Sequence, residues 1–126
     1  MHRKAILLVD DDLTSREIHK MAIESWGYTI YLAEDGAQAL SIFREKQPAI
    51  VITDLVMPNL NGLALLRQLK QERPGTAVIF LTAYANVTNA VTIMKQGAAD
   101  LLTKPVNFQR LKLVLDSLAK RDAAIA

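Results

Sequence analysis

The sequence predicts an α/β protein in which a parallel five-stranded sheet carries helices on both faces. Short apolar runs alternate five times with longer segments of helical period. The runs are rich in β-branched residues, and most of them lack polar alternation, which is typical of strands that are covered on both faces. The connections between them are short, which implies right-handed crossovers and a doubly wound sheet.

The predicted strands follow the apolar runs directly. They are Ala5–Val9, Tyr28–Ala33, Ala49–Thr53, Ala77–Leu81 and Asp100–Thr103. The amphipathic segments between and after them predict five helices. These are about Thr14–Trp26, the stretch that follows Gly36 and runs to about Lys46, and then about Leu63–Glu72, Val87–Gln96 and Phe108–Arg121.

Local signals indicate where these helices begin and end. Thr14 and Glu17 have the spacing of a capping box, and Asp12 just before them is expected to be an N-cap. Gly27 and Gly97 are expected to end the first and fourth helices. The segment DLVMPNLNG at 54–62 is longer than a minimal turn, and its Met-Pro-Asn and Asn-Gly signals predict a shaped loop.

Composition excludes several classes of function. The chain has 126 residues, 51% of them hydrophobic, and a net charge of +2 without a cluster of basic residues, so we expect no direct contact with nucleic acid. It has no cysteine, which excludes disulfides and thiolate metal sites. No apolar run approaches the ~18–20 residues that cross a bilayer. We expect one domain spanning 1–126 in the cytoplasm, either a whole protein or a piece of a longer one.

Polar residues follow the strands at the edge where ligands bind in such sheets. Asp10 and Asp11 follow the first strand, Asp54 the third, Thr82 the fourth and Lys104 the fifth. In the flavodoxin-like strand order 2-1-3-4-5, the order reverses between strands one and three, and ligands bind at that point. The acidic pair and Asp54 are therefore expected side by side, with the threonine and the lysine on the same rim.

This set of residues is suited to phosphoryl transfer. Converging carboxylates repel one another unless a hard cation lies between them, and Mg²⁺ prefers one or two carboxylates together with water and phosphate oxygens. A carboxylate nucleophile at Asp54, a metal, the ammonium of Lys104 and the hydroxyl of Thr82 are what a phosphoryl group needs. Taken alone, each residue would more often be a cap, a turn residue or a solvated side chain.

Four motifs resemble the receiver domain of bacterial two-component response regulators, of the kind found in chemotaxis regulators. They are LLVDDD at 7–12, ITDLVMPNLNG at 52–62, FLTAYA at 80–85 and GAADLLTKP at 97–105. The resemblance covers about Lys4 to Lys120. It implies phosphorylation of Asp54 by a phosphohistidine on a sensor histidine kinase or phosphotransfer protein, or by a small acyl phosphate.

The resemblance also implies roles for the other residues on the rim. Asp10, Asp11 and Asp54 would hold Mg²⁺ together with the backbone carbonyl of Val56, with Asp11 usually bound directly and Asp10 through water. Thr82 would move toward the phosphoryl group, Lys104 would pair with it, and Lys104–Pro105 would be a cis peptide bond. The domain would then control an output domain, a partner or its own dimerisation.

One position departs from the family pattern. Leu101 stands three residues before the lysine, where receivers commonly carry Tyr or Phe. Leucine has less bulk and no polar tip, so we expect phosphorylation to be transmitted by a different route.

Two further positions resemble those that influence phosphoryl lifetime in the family. Val56 and Tyr84 lie two residues after Asp54 and Thr82, respectively. An apolar side chain and a bulky ring should hinder an attacking water. We therefore expect a longer-lived phosphoryl group than in receivers that carry acid or amide side chains at both positions.

The last two helices predict an output surface. A core face is expected from Val87, Ala90, Val91 and Met94 in the fourth helix, and from Leu111, Val114, Leu115 and Leu118 in the fifth. Ile93 and Leu113 lie outside the predicted core faces of their helices. With Leu101 they are expected to form a face for a dimer or a partner, although single exposed aliphatic residues are ordinary on protein surfaces.

Two alternatives use other chemistry. Asp10-x-Asp12-x-Thr14 also resembles the first motif of haloacid-dehalogenase-type phosphatases, with Asp10 as nucleophile. That family needs a further acidic pair after the lysine, and only Asp116 and Asp122 follow it. A flavin-binding module is disfavoured because three acids stand where a phosphate-binding loop would be.

Overall fold

The structure is a computed structural model and describes residues 5–56, 61–83 and 87–125. Strands and helices alternate along the chain, as the sequence predicts. They are β1 Ala5–Val9, α1 Leu13–Ser25, β2 Thr29–Ala33, α2 Gly36–Lys46, β3 Ile50–Thr53, α3 Gly62–Glu72, β4 Ala77–Thr82, α4 Val87–Lys95, β5 Asp100–Thr103 and α5 Phe108–Ile125. Each strand agrees with its prediction to within one residue, and α5 runs four residues beyond its predicted end.

The strands form a parallel sheet in the order β2-β1-β3-β4-β5, which confirms the flavodoxin-like fold class. Val9 at the end of β1 pairs with Thr53 at the end of β3, and Thr82 at the end of β4 pairs with Thr103 at the end of β5. The residues that follow β1, β3 and β5 therefore emerge at the same edge of the sheet.

Each face of the sheet is covered by its own apolar cluster. Leu7, Val51 and Phe80 point to one face, where they share a core with residues of α2, α3 and α4. Ile52 and Leu81 belong to the other face, which is covered by residues of α1 and α5. Side chains of alternate strand residues thus enter opposite cores, which explains why the strands read as continuous apolar runs.

The capping of α1 differs from the capping box expected at Thr14. The helix begins at Leu13, and the carboxylate of Asp12 accepts a hydrogen bond from the backbone N–H of Thr14 at 3.2 Å. Asp12 is the N-cap, as expected. The carboxylate of Asp12 thus provides the N-cap, and the helix begins one residue before Thr14.

The predicted core face of α4 is wrong. Ile93, assigned to the surface, is only 2% exposed and shares the α2–α4 core with Leu66 and Ala98. Val91 and Met94, assigned to the core, are 48% and 46% exposed. The side chain of Val87 lies outside the described residues. Apolar residues surround more than one face of this short helix, so periodicity alone could not select the face that docks.

The prediction for α5 is confirmed. Leu111 and Leu115 are buried, and Val114 and Leu118 are partly buried against the same core. Leu113 is 70% exposed. Among the described residues, no helix is both long and apolar enough to cross a membrane.

Candidate functional site

The register of the sheet places Asp10 beside Asp54. Both follow the last residue of their strands, and the backbone N–H of Asp54 donates to the carbonyl of Val9 at 3.3 Å. On the opposite side of β1, the N–H of Asp10 donates to the carbonyl of Ala33 at 3.0 Å. Backbone hydrogen bonds to neighbouring strands thus continue one residue beyond the strand ends and hold both acids in place.

Three carboxylates converge at this edge. Oxygen atoms of Asp10, Asp11 and Asp54 lie within 4.8 Å of one another. Asp10 is buried, Asp54 is half-buried and Asp11 is exposed. Hard oxygen donors without a histidine or a thiolate are the ligands of Mg²⁺ and Ca²⁺, so the donor set fits a hard divalent cation that remains open to solvent.

Lys104 lies between two of these acids. Its Nζ is 3.0 Å from Oδ2 of Asp10 and 3.0 Å from Oδ2 of Asp54. The backbone N–H of Lys104 donates to the carbonyl of Thr82 at 2.8 Å, and the Lys104–Pro105 peptide bond is cis, as the resemblance implies. Burial by itself lowers the pKa of Lys104, but its hydrogen bonds to the two carboxylates outweigh this and hold the pKa above its ordinary value.

Asp10 is held by more groups than the sequence indicates. Its Oδ1 accepts from the backbone N–H of Asp12 at 3.0 Å, and its Oδ2 accepts from the hydroxyl of Ser15 at 2.6 Å. The guanidinium of Arg16 donates to its backbone carbonyl at 2.8 Å. Burial raises the pKa of Asp10, but the hydrogen bonds from Ser15, Asp12 and Lys104 prevail and hold it below its ordinary value.

Ser15 and Arg16 were missed in the sequence. Both lie in the first turn of α1, and a hydroxyl there is usually interpreted as a capping group. The signal that could have found them is the position of α1, which begins three residues after Asp10. Its first turn therefore lies against the end of β1, where side chains five and six residues after Asp10 can reach back to that residue.

Val56 contacts Asp54, and Thr82 ends the strand next to the one that Asp54 follows. Thr82 is the last residue of β4 and is fully buried at the same edge. The backbone N–H of Val56 donates to Oδ1 of Asp54 at 3.2 Å, and its side chain is 55% exposed. Each oxygen of the Asp54 carboxylate therefore has a donor, Val56 on one and Lys104 on the other.

Gly62 allows α3 to begin against the Asp54 backbone. Its N–H donates to the carbonyl of Leu55 at 2.9 Å. A Cβ at this position would lie 2.3 Å from the carbonyl oxygen of Asp54 and 2.8 Å from Cε1 of Phe80. Only a residue without a side chain fits, so the start of α3 lies close against the backbone of Asp54. Residues 57–60 of the shaped loop expected from the sequence lie outside the described residues.

None of the described residues that are expected to transmit the signal belongs to the acidic cluster. Leu101 is on β5, half-buried against the α2–α4 core. Leu113 is exposed on α5, and Ile93 is in the core rather than on a surface. Tyr84 lies outside the described residues.

The phosphatase alternative has no support in this arrangement. Asp116, one of the two acids that follow Lys104, accepts hydrogen bonds from the hydroxyl of Tyr28 at 2.5 Å and from Lys112 at 2.7 Å. It is therefore engaged on α5, away from the rim. The side chain of Asp122, the other acid, lies outside the described part of the chain.

Comparisons with known proteins agree with this geometry. A family model described as the response regulator receiver domain matches residues 6–116. The transcriptional regulatory protein ZraR of Klebsiella oxytoca is 40% identical over 110 residues, which cover 87% of this chain and 25% of that protein. The DNA-binding transcriptional regulator NtrC of Escherichia coli (strain K12) is 39% identical over 105 residues, which cover 83% of this chain and 22% of that protein.

The match thus spans about a quarter of the length of these two relatives. A solved structure supports the same assignment. The crystal structure of a response regulator receiver domain protein from Clostridium thermocellum matches with a TM-score of 0.92 at 34% identity, over 98% of this chain and 99% of that one. The chain therefore belongs to the receiver domain family of two-component response regulators.

Proposed function

We propose that Asp54 accepts a phosphoryl group from a phosphohistidine on a sensor histidine kinase or phosphotransfer protein, or from a small acyl phosphate. The observation that carries this proposal is the position of Lys104 between Asp10 and Asp54. One ammonium bridging two acids at the end of a parallel sheet neutralises charge where a phosphoryl group would add more. The chain catalyses no reaction other than its own phosphorylation and dephosphorylation.

The metal proposed for the acidic cluster is Mg²⁺. Asp10, Asp11 and Asp54 would hold it with the backbone carbonyl of Val56, and their spacing supports this assignment. When bound, the ion neutralises the oxygens of the transferring phosphoryl group. An open site with few protein ligands suits Mg²⁺ because this ion keeps several of its waters.

The transfer itself is a displacement at phosphorus. A carboxylate oxygen of Asp54 forms the new O–P bond while the P–N bond of the phosphohistidine breaks. The electron pair of that bond leaves with the imidazole, which takes a proton from solvent. Lys104 then pairs with the added phosphoryl oxygens, and the Thr82 hydroxyl donates to one of them.

We propose that the chain is the receiver portion of a longer regulator. ZraR and NtrC are more than three times its length, which supports an output segment in the whole protein. Phosphorylation would change the surface formed by α4, β5 and α5, on which Val91, Met94 and Leu113 are exposed. That surface would bind an output domain, a partner or a second copy. We place this event in the cytoplasm, where a sensor histidine kinase would supply the phosphoryl group.

Intact-mass spectrometry after incubation with acetyl phosphate and Mg²⁺ tests the proposal. The wild-type protein should gain one phosphoryl increment, and the increment should disappear when a chelator replaces Mg²⁺. Asp54→Asn should gain none, because its amide cannot act as the nucleophile. Asp10→Asn should be labelled more slowly but still on Asp54.

A different pattern would favour the phosphatase chemistry. If Asp54→Asn still takes the label and Asp10→Asn does not, then Asp10 is the nucleophile and the proposal is wrong. Peptide mapping after trapping the acyl phosphate as a hydroxamate identifies the labelled residue directly.

A further inference from the structure

The Asp10 carboxylate is held by donors of two kinds. Lys104 donates to Oδ2, but the same ammonium is shared with Asp54. The N–H of Asp12 and the hydroxyl of Ser15 are neutral and have no such second carboxylate among the described contacts. At 2.6 Å, the Ser15 contact is the shortest of the three.

The hydroxyl of Ser15 is itself fixed from the other side. Nδ1 of His19, one turn further along α1, lies 2.6 Å from the carbonyl of Ser15 and 3.3 Å from its hydroxyl oxygen. The carbonyl oxygen can only accept, so Nδ1 must carry the proton in this contact. The same N–H can donate to the hydroxyl oxygen, and the hydroxyl proton of Ser15 then donates to Asp10. His19 is only 6% exposed, and its ring packs on Phe108 with centroids 5.7 Å apart.

These contacts have a consequence for phosphorylation. A phosphoryl group on Asp54 attracts Lys104, and the bond from Lys104 to Asp10 is then weakened. The Asp10 carboxylate, which is 2% exposed, would have to keep its orientation through the remaining donors. A hydroxyl can do this without adding positive charge, whereas a second lysine or arginine in its place would compete with a cation.

We propose that Ser15 is a positioning residue of the cation site: its hydroxyl keeps the Asp10 carboxylate in the acidic cluster when Lys104 turns to a phosphoryl group. This inference rests on the proposed function. The hydroxyl touches neither the phosphoryl group nor the nucleophile, so it acts only through Asp10. Residues that hydrogen-bond to a metal ligand without contacting the metal contribute strongly to metal affinity.

Two variants of matched shape test the role of the hydroxyl. Ser15→Thr keeps the hydroxyl and adds a methyl group on Cβ. Ser15→Val has the same shape as Ser15→Thr, but a second methyl group stands in place of the hydroxyl. Isothermal titration with MgCl₂ should give an affinity near the wild-type value for Ser15→Thr and about tenfold weaker binding for Ser15→Val. Ser15→Ala, which cannot overpack the helix, should behave like Ser15→Val.

Phosphorylation by acetyl phosphate separates positioning from catalysis. The Mg²⁺ concentration that gives half the maximal rate should rise about tenfold in Ser15→Val, while the maximal rate at saturating Mg²⁺ changes much less. Ser25→Ala is the control on the same helix, because that hydroxyl donates to the carbonyl of Ala22 and not to the site. It should match the wild type in both assays.

Equal Mg²⁺ affinities for Ser15→Thr, Ser15→Val and Ser15→Ala would overturn the inference, provided that the wild type binds Mg²⁺ and is labelled on Asp54. Wild-type protein that neither binds Mg²⁺ nor takes the label would instead overturn the proposed function and the inference with it. Denaturant unfolding in a chelator shows whether each variant is folded. If Ser15→Val is unfolded, the comparison of Ser15→Ala with Ser15→Thr decides.

Discussion

The ammonium of Lys104 lies 3.0 Å from Oδ2 of Asp54, and the same atom lies 3.0 Å from Oδ2 of Asp10. The lysine side chain is 19% exposed, and those of Asp10 and Asp54 are 3% and 14% exposed. The pairing is therefore shielded from solvent more than a surface ion pair is. Lys104 thus supplies the positive charge between the two acids.

Replacing Lys104 should destabilise the protein most when no metal is present. In Lys104→Met the two acids lose their common counter-charge, so we expect the free energy of unfolding in a chelator to fall by about 2–3 kcal/mol. Saturating Mg²⁺ should restore much of this loss. Urea denaturation with and without Mg²⁺ measures both effects.

Lys112→Met is the matched control. Lys112, whose side chain is 44% exposed, pairs with Asp116 on α5, so its loss should change the free energy of unfolding by less than about 1 kcal/mol, with no effect of Mg²⁺. If both variants lost the same free energy of unfolding, the pairing of Lys104 with two acids would stabilise the protein no more than a single ion pair does.

Stability at acid pH should depend on Asp10. Burial raises the pKa of this carboxyl, but hydrogen bonds from Ser15, Asp12 and Lys104 hold it below the ordinary value of 3.8. The folded state thus binds fewer protons than the unfolded state. The contribution of Asp10 to stability is complete above pH 3.8 and is lost as the pH falls through the lowered pKa of the folded state.

We therefore expect the free energy of unfolding in a chelator to fall more steeply in the wild type than in Asp10→Asn as the pH falls from about 4 to about 2. The asparagine keeps the shape of the side chain but does not titrate. Parallel slopes in urea denaturation across this range would rule out a lowered pKa at Asp10.

Gly62→Ala should disturb the backbone of Asp54. The new Cβ would lie 2.3 Å from the Asp54 carbonyl oxygen, so α3 and the end of β3 must separate. We expect the free energy of unfolding to fall by about 2 kcal/mol and phosphorylation of Asp54 to slow. Gly75→Ala is the control, since nothing lies within 4 Å of the place that its methyl group would take, and it should change stability little. Equal effects in the two variants would contradict a steric role for Gly62.

Val56→Ala should shorten the lifetime of the phosphoryl group. The backbone N–H of Val56 donates to the Asp54 carboxylate, and the Val56 side chain is 55% exposed. Removing two methyl groups opens a path for water, so we expect hydrolysis to be about threefold faster, which corresponds to less than about 1 kcal/mol in the barrier. Loss of the label is followed by intact mass after the donor is removed. Tyr84→Ala should act in the same direction, and unchanged rates in both would contradict this prediction.

Truncation to alanine should lower the free energy of unfolding much more at Ile93 than at Leu113. Ile93→Ala creates a cavity in the core and should lower the free energy of unfolding by about 2–4 kcal/mol. Leu113→Ala removes a side chain that is 70% exposed and should change stability by less than about 0.5 kcal/mol. It should instead weaken any association seen by sedimentation when a phosphoryl mimic is added. An unchanged mass or partner affinity on adding the mimic would argue against an output surface at this residue.

The strand ends made most of the site predictable. Parallel strands bring their carboxyl ends to one edge, so Asp10, Asp54 and Lys104 could be placed together from the order of the elements alone. Their separations in sequence are large, but the strand order and register convert them into contacts of 3.0 Å.

Ser15 and Ile93 could not be assigned in this way. A serine in the first helical turn has two possible partners, the free N–H groups of its own helix and the end of the preceding strand, and only the docked helix selects one. In α4, Ile93 competes with Val91 and Met94 for the core because apolar residues surround the helix. Tertiary packing decides both cases.

The bridging lysine also determines the net charge of the acidic cluster. Three carboxylates and one ammonium leave two negative charges in a small volume, which is the amount that a single divalent ion cancels. A sodium or potassium ion would leave the cluster half-compensated, and a second lysine would leave a divalent ion with an excess of positive charge. By this count of charges, a divalent ion bound at this edge of the sheet would balance the side chains around it, whereas a monovalent ion would not.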